Sequence, residues 1–321
     1  MAMAAAIAPA PSPGSALPIP RPEQGLSAII ASKHRARWLI ATVESLLAQS
    51  QLPSQIIIVD QSVFPDARAA VCARAARFPR LRLDYVHDPA INGGAAARNR
   101  GMELADGAIW LFLDDDVQLE PEFIAALWAG YRWLPQATGI SGIITNYAPP
   151  PWTMRLWTRL FCLGPFADDR QPIYWRAAAL RHAPPLPVSR LGAGLMSFRA
   201  SALAALRFDP RLTGASLGED VDLCFRLPAG STLFIHPAAR LQHLRAPHAA
   251  TRPYPLTEAA QAAWYLHLAH PRRHPGQRWM FAWLNAGLLL AAGAASLRRR
   301  SIRPWRDWWQ GVAVARDILA R

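Results

Sequence analysis

Lysine is nearly absent from this 321-residue chain: Lys33 is the single one, so arginine supplies almost all of the positive charge. Cysteine is scarce too. Cys72, Cys162 and Cys224 are scattered, odd in number, and form no C-x-x-C pair. That excludes a structural zinc ribbon and a disulfide framework, and it points to a reducing compartment. No internal repeat is present, which excludes stacked-repeat architectures. The first 24 residues, "MAMAAAIAPAPSPGSALPIPRPEQ", have neither a basic start nor an unbroken apolar run. They read as a disordered Ala/Pro-rich leader rather than a cleaved signal peptide.

What the chain does have is apolar bulk and basic charge. At 52% hydrophobic it can bury one sizeable core, or one domain with an appendage. The net charge is +13, and residues 271–321, with ten Arg and two Asp, carry +8 of it. A basic tail of this kind suits an anionic partner, either lipid headgroups or nucleic acid.

From residue 26 the pattern is regular. Apolar or β-branched runs at 26–30, 55–60 and 108–113, and the alternating "LRLDYVH" (81–87), read as strands. Between them, 36–50, 65–78 and 95–105 have helical spacing. Alternation of this length implies an open, largely parallel α/β sheet. The continuous runs at 55–59 and 108–113 mark central strands covered on both faces. Further on, 138–147 reads as a strand, 191–206 as strand then helix, 214–227 as loop then helix, and 231–237 and 239–244 as two short strands. From about 255 the chain turns helical.

The run "AIWLFLDDD" (108–116) ends a buried strand in three adjacent carboxylates, Asp114, Asp115 and Asp116. In an open α/β sheet ligands bind beyond the carboxyl ends of the strands. Clustered acids there are tolerable if a divalent cation, Mg²⁺ or Mn²⁺, neutralises them. The plainer reading is a solvated acidic turn, with "VQLEPEF" able to start a helix. Asp60 ends the second strand in "IIIVDQS". It can accept a hydrogen bond from the ring N–H of a nucleotide base, or serve as an ordinary strand-end cap. "NGGAAARNRG" (92–101) opens a helix and can bring backbone N–H groups, Arg98 and Asn99 near a diphosphate, or can simply turn. In "GEDVDLCFR", Glu219, Asp220 and Asp222 suit a helix N-terminus, or one of them is a general base. His243 in "LQHL" is able to complete a divalent site, although a lone His is more often structural.

Taken in order, "SAII", "IIIVDQS", "NGGAAARNRG", "LFLDDDV", "GAGLMSFR", "GEDVDLCFR" and a downstream His resemble the family-2 glycosyltransferases of GT-A fold, over about residues 26–245. The resemblance implies a Rossmann-like mixed sheet flanked by helices over residues 25–250, with a helical C-terminal region over 251–321. It implies metal-dependent, inverting transfer of a sugar from a nucleoside-diphosphate donor. The D-x-D positions are Asp114 and Asp116, with Asp115 between them, and His243 assists the metal, Mn²⁺ or Mg²⁺. Asp60 is the base-binding acid. Ser32, Arg35, Arg98, Asn99, Asp114 and Asp115 fall at donor-binding positions. Glu219 and Asp220 match the E-D pair, with Asp220 as the base. One departure stands out: "ASKHR" (31–35) puts Lys33 where the family commonly has an aromatic.

Two other readings are weaker. A sugar-nucleotidyltransferase needs a glycine-rich basic loop near the first strand, and "SAIIASKHRAR" has no glycine. A nucleic-acid-binding protein would show a recognisable motif, and none is present.

The segment "WMFAWLNAGLLLAAGAASL" (279–297) carries no charge and is just long enough to span a bilayer. Arginines flank both ends, without the asymmetry of a spanning helix. An interfacial or re-entrant element fits best, then a span, then a buried helix. In 303–321, Trp305, Trp308, Trp309, Val312 and Leu319 can share one helical face. "WTMRLWTRLF" (152–161) has the same character. The expected setting is the cytoplasmic face of a membrane, with a saccharide or lipid-linked acceptor and a role in envelope or polysaccharide assembly.

Overall fold

The computed structural model describes residues 20–214, 216–246 and 255–320. Most of the expected leader, residues 1–19, and the expected boundary at 250/251 lie outside them.

The parallel half of the sheet comes first. Strand β1 (Leu26–Ser32) leads into helix α1 (Ala36–Leu47), β2 (Gln55–Asp60), α2 (Arg68–Ala75), β3 (Arg82–His87), α3 (Gly94–Leu104) and β4 (Ile109–Asp114). β2 is buried throughout and β4 is buried up to Asp114, as continuous apolar runs require. A short strand, β5 (Val117–Leu119), then precedes α4 (Phe123–Trp133). The helix that "VQLEPEF" can start thus begins only at Phe123, after this extra strand. Strand β6 (Gly139–Ile144), α5 (Trp152–Phe161), the single turn α6 (Gln171–Tyr174), β7 (Leu186–Val188) and β8 (Leu195–Arg199) follow. The expected helix after β8 is a 3₁₀ turn only, Ala200–Leu203.

Helix α7 (Glu219–Arg226) and strand β9 (Leu233–His243) complete the sheet. The two short strands expected at 231–237 and 239–244 are one strand. Its pairing with β6 shifts register between Ile235 and Arg240, and Pro237 sits in that break, where no ladder N–H is needed. Helices α8 (Pro255–Ala269), α9 (Gln277–Arg299) and α10 (Arg303–Ala320) end the described chain.

The nine strands form one mixed sheet, in the order β3-β2-β1-β4-β8-β6-β9-β5, with β7 paired to β9. β1 is parallel to β2 and β4, whereas β8 runs antiparallel to β4. The register aligns the carboxyl ends: Ser32 lies beside Asp60, and Ala31 beside Asp114. Every acid-bearing strand end therefore opens on one edge.

The C-terminal helices share the core of the sheet. Tyr265 and Leu266 of α8 and Ala315 and Ile318 of α10 are buried with Phe208, Val221 and Leu223. A second cluster joins Ala260 and Ala263 of α8 to Phe281, Leu284 and Leu288 of α9 and Trp308 and Val312 of α10. The expected single aromatic face of α10 is split: Trp308 and Val312 point inward, while Trp305 and Trp309 are exposed.

Candidate active site

The three acids at the end of β4 part in two directions. Asp115 turns back into the domain, where Ser32 Oγ donates to its Oδ2 at 2.7 Å and Arg35 Nη1 to its Oδ1 at 3.0 Å. Burial pushes its carboxyl up to about 6, against the pull of Ser32 and Arg35. Asp114 and Asp116 instead face His243. Its Nε2 lies 3.6 Å from Asp114 Oδ2 and 3.4 Å from Asp116 Oδ1. The ring arrives there because β9 pairs with β5 in a register that sets His243 opposite Val117. One ligand atom from each of the three side chains falls within 4.8 Å of the others.

Both carboxylates of this trio are fixed from behind. The amide of Ala246 donates to Asp116 Oδ2 at 2.8 Å. Asp114 packs against Gly194, where a Cβ would come within 2.5 Å of Oδ2. Burial disfavours the charge on Asp114, but His243 and Arg98 outweigh it and hold the carboxyl below its usual range. Two carboxylates and one imidazole are a donor set that suits Mn²⁺ or Mg²⁺.

Arg98 links this trio to the second acid pair. Its Nη2 donates to Asp114 Oδ1 at 2.9 Å, and its Nη1 donates to Glu219 Oε1. Glu219 is buried and, among the described residues, its Oε2 has no hydrogen bond. Burial pushes its carboxyl up to about 7, and the charge of Arg98 opposes the rise. Asp220, the next residue, is more open: its side chain is 17% exposed, against 6% for Glu219. Arg170 Nη1 donates to Asp220 Oδ2 at 3.0 Å, and the Val221 amide donates to Oδ1 at 2.9 Å. Gly218, left-handed at φ 88°, opens α7 and sets both acids at its first turn.

Asp60 is buried at the end of β2. Tyr85 Oη donates to its Oδ2 at 2.6 Å, and the Ser62 amide to its Oδ1 at 2.9 Å. Lys33, one residue past Ser32 (Asp60's neighbour across the sheet), is exposed. Asn99 does not join the group. It sits one residue past Arg98, about 100° around the helix, and both ends of its amide are taken by the backbone of Phe208, at 2.8 and 2.9 Å. In this structure Asn99 clamps the loop that follows β8.

Arg170 is the residue that sequence reasoning missed. Its Nε and Nη2 bind Asp168 at 2.9 and 3.0 Å, and its Nη1 also reaches Leu191 O at 2.6 Å. The only local signal is the run "DDR" at 168–170.

A mixed sheet flanked by helices, with acids gathered on its carboxyl edge, is the GT-A fold. Residues 27–179 match the family model described as "Glycosyl transferase family 2". Solved structures of this fold include the mannosyltransferase PcManGT from Pyrobaculum calidifontis in complex with GDP-Man and Mn²⁺. It has a TM-score of 0.55 at 17% identity, over 96% of this chain and 89% of that one. S. aureus TarS 1–349 with UDP-GlcNAc gives 0.57 at 12% identity, over 92% and 81%.

Among curated proteins, the amylovoran biosynthesis glycosyltransferase AmsB of Erwinia amylovora is 32% identical over 90 residues, 28% of this chain and 30% of that protein. The glucosyl-dolichyl phosphate glucuronosyltransferase of Haloferax volcanii is 29% identical over 132 residues, 39% and 37% of the two chains. The matched stretches span about a third of the length of these relatives.

Proposed function

We propose that this protein transfers a sugar from a nucleoside-diphosphate donor to an acceptor hydroxyl, with inversion at the anomeric carbon. The observation that carries the reading is Arg98, whose one guanidinium joins Asp114 to Glu219. It holds the cation-side acids and the base-side acids a guanidinium's width apart.

Asp114, Asp116 and His243 would hold Mn²⁺ or Mg²⁺, which supplies positive charge to the donor diphosphate as it leaves. Asp60, oriented by Tyr85 and Ser62, accepts the ring N–H of the base. Ser32 and Arg35 act through Asp115, which they pin, and so keep the turn that aims Asp114 and Asp116. Arg98 is committed to Asp114 and Glu219, so its part is to hold those two carboxylates in place.

Asp220 takes the proton from the acceptor hydroxyl. Glu219 is buried and spoken for by Arg98, whereas Asp220 keeps exposed surface at the start of α7. The freed alkoxide then attacks the anomeric carbon from the side opposite the diphosphate, and a single displacement inverts it. The names of the curated relatives support a growing polysaccharide or a lipid-linked saccharide as acceptor. Three free cysteines fit a cytoplasmic setting. NMR of the product tests the proposal: a new linkage opposite in anomeric configuration to the donor supports it, and a retained configuration overturns it.

A further inference from the structure

Among the described residues, the C-terminal helices present one apolar, exposed face. On α9, Trp279, Trp283, Ala286, Leu290, Ala294 and Leu297 follow one another at steps of three and four residues, and all are exposed. Leu290 and Leu297 are 64% and 82% exposed. Phe281, Leu284, Leu288 and Ala292 form the opposite, buried stripe. A surface helix of a water-soluble protein carries polar residues on its outer face; the central turns of α9 are apolar on both.

The bare stripe continues onto both neighbours. No residue of α5 is buried, and Trp152, Met154, Leu156 and Leu160 are exposed. α5 is anchored to α9 by Trp283, whose Nε1 donates to Leu160 O at 2.7 Å and whose ring stacks on Phe161. On the α10 side, Trp305 approaches α9 at Gly293, with exposed Ile302 and Trp309 on the same helix end.

The charge around this patch has one sign. Residues 271–306 contain eight Arg and no Asp or Glu, and α5 contains two Arg and no acid. Arg298, Arg299, Arg300, Arg303 and Arg306 stand at one end of α9, and Arg272, Arg273 and Arg278 at the other, where with His267 and His270 they line a hollow.

We propose that this face docks on an anionic lipid bilayer, with α9 lying in the plane of the membrane. Its 23 residues run about 34 Å, long enough to cross a bilayer, but three observations set it flat. Its inner stripe is part of the cluster shared with α8 and α10, which a crossing would strip bare. Arginines at both ends suit a single leaflet, not two unequal ones. Apolar residues facing the acyl boundary beneath a rim of Arg and Trp are the arrangement of an interfacial anchor. A second copy of the chain fits worse, because a two-fold axis through the patch would set arginine against arginine. This inference stands on the C-terminal helices and not on the reaction.

Vesicle flotation of the full-length protein tests it, with the melting temperature as the check on folding. The wild type should float with phosphatidylcholine–phosphatidylserine vesicles and only weakly with phosphatidylcholine alone. Trp279→Ser, Leu290→Ser and Leu297→Ser together should release it at unchanged melting temperature, since all three are exposed. Arg298→Gln, Arg299→Gln and Arg300→Gln together should weaken binding to the anionic vesicles by about a hundredfold. Three results would overturn it. One is a wild type that ignores anionic vesicles. Another is a protein that alkaline carbonate cannot extract, which would mean a span. The third is a dimer that the apolar triple variant dissociates while vesicle binding is absent.

Discussion

Arg170 and Asp220 form an ion pair at 3.0 Å across 50 residues of sequence, and the same guanidinium is gripped from behind by Asp168. Asp220 is thereby aimed without being buried. Asp220→Asn keeps the shape and the Val221 hydrogen bond but removes the base. Transfer should fall by about 10²–10⁴-fold, while Mn²⁺-dependent nucleotide binding persists. Near-normal turnover by this variant would remove Asp220 from the mechanism.

Arg170 acts through Asp220, so its loss should show in kcat and not in donor affinity. Arg170→Met is expected to lower kcat by about a hundredfold through misplacement of the carboxylate, with the donor KM little changed. Arg170→Lys should recover part of the rate. A variant that raises the donor KM and leaves kcat intact would place Arg170 on the donor instead.

Gly194 offers a test of the cation site that leaves every ligand in place. A Cβ there would stand 2.5 Å from Asp114 Oδ2, so Gly194→Ala must turn the carboxylate or shift the loop. Mn²⁺ affinity, read by titration in the presence of nucleoside diphosphate, should drop by about 10–100-fold. Wild-type affinity would mean that Asp114 can move freely and is not a fixed ligand.

The C-terminal helices are bound to α7 by a buried polar knot. Tyr265 Oη stands 2.9 Å from Asp209 Oδ2 and 3.1 Å from Asp222 Oδ1. His270 Nε2 lies 2.9 Å from Asp222 Oδ1, and Arg226 donates to Asp222 Oδ2. Burial disfavours the charge on Asp222, but His270 and Arg226 outweigh it and lower its pKa. Its folded value lies below its unfolded one, so its contribution is present above the unfolded pKa, about 4. It is lost as pH falls through the folded value. The stability gap between wild type and Asp222→Asn, measured by urea unfolding, should be widest near neutral pH and close progressively in acid. A gap that widens in acid would contradict this sign. Tyr265→Phe should cost about 1–3 kcal/mol at neutral pH.

Much of the site was legible because strands that are buried on both faces end abruptly in acids. That marks Asp60 and Asp114 by contrast alone, and the family pattern adds Glu219, Asp220 and His243. What the sequence hides is direction. Asp115 differs from its neighbours in turning toward Ser32 and away from His243, and one residue of helical phase turns Asn99 away from Arg98's partners. Arg170 is hidden for another reason: tertiary packing alone brings it to Asp220. Pro237 misleads in the opposite way, breaking the pattern of β9 without breaking the strand, since it falls where the ladder already shifts. The tryptophans of α10 likewise look like one face in sequence, and packing against α8 and α9 divides them.

In the proposed reaction, donor cleavage needs a cation held by Asp114, Asp116 and His243. Release of nucleoside diphosphate from UDP-, GDP- and dTDP-sugars, with Mn²⁺ and again after chelation, measures it directly. Release is expected from a donor of this panel with Mn²⁺, none after chelation, and none from Asp116→Ala. Equal release with and without the cation would contradict it.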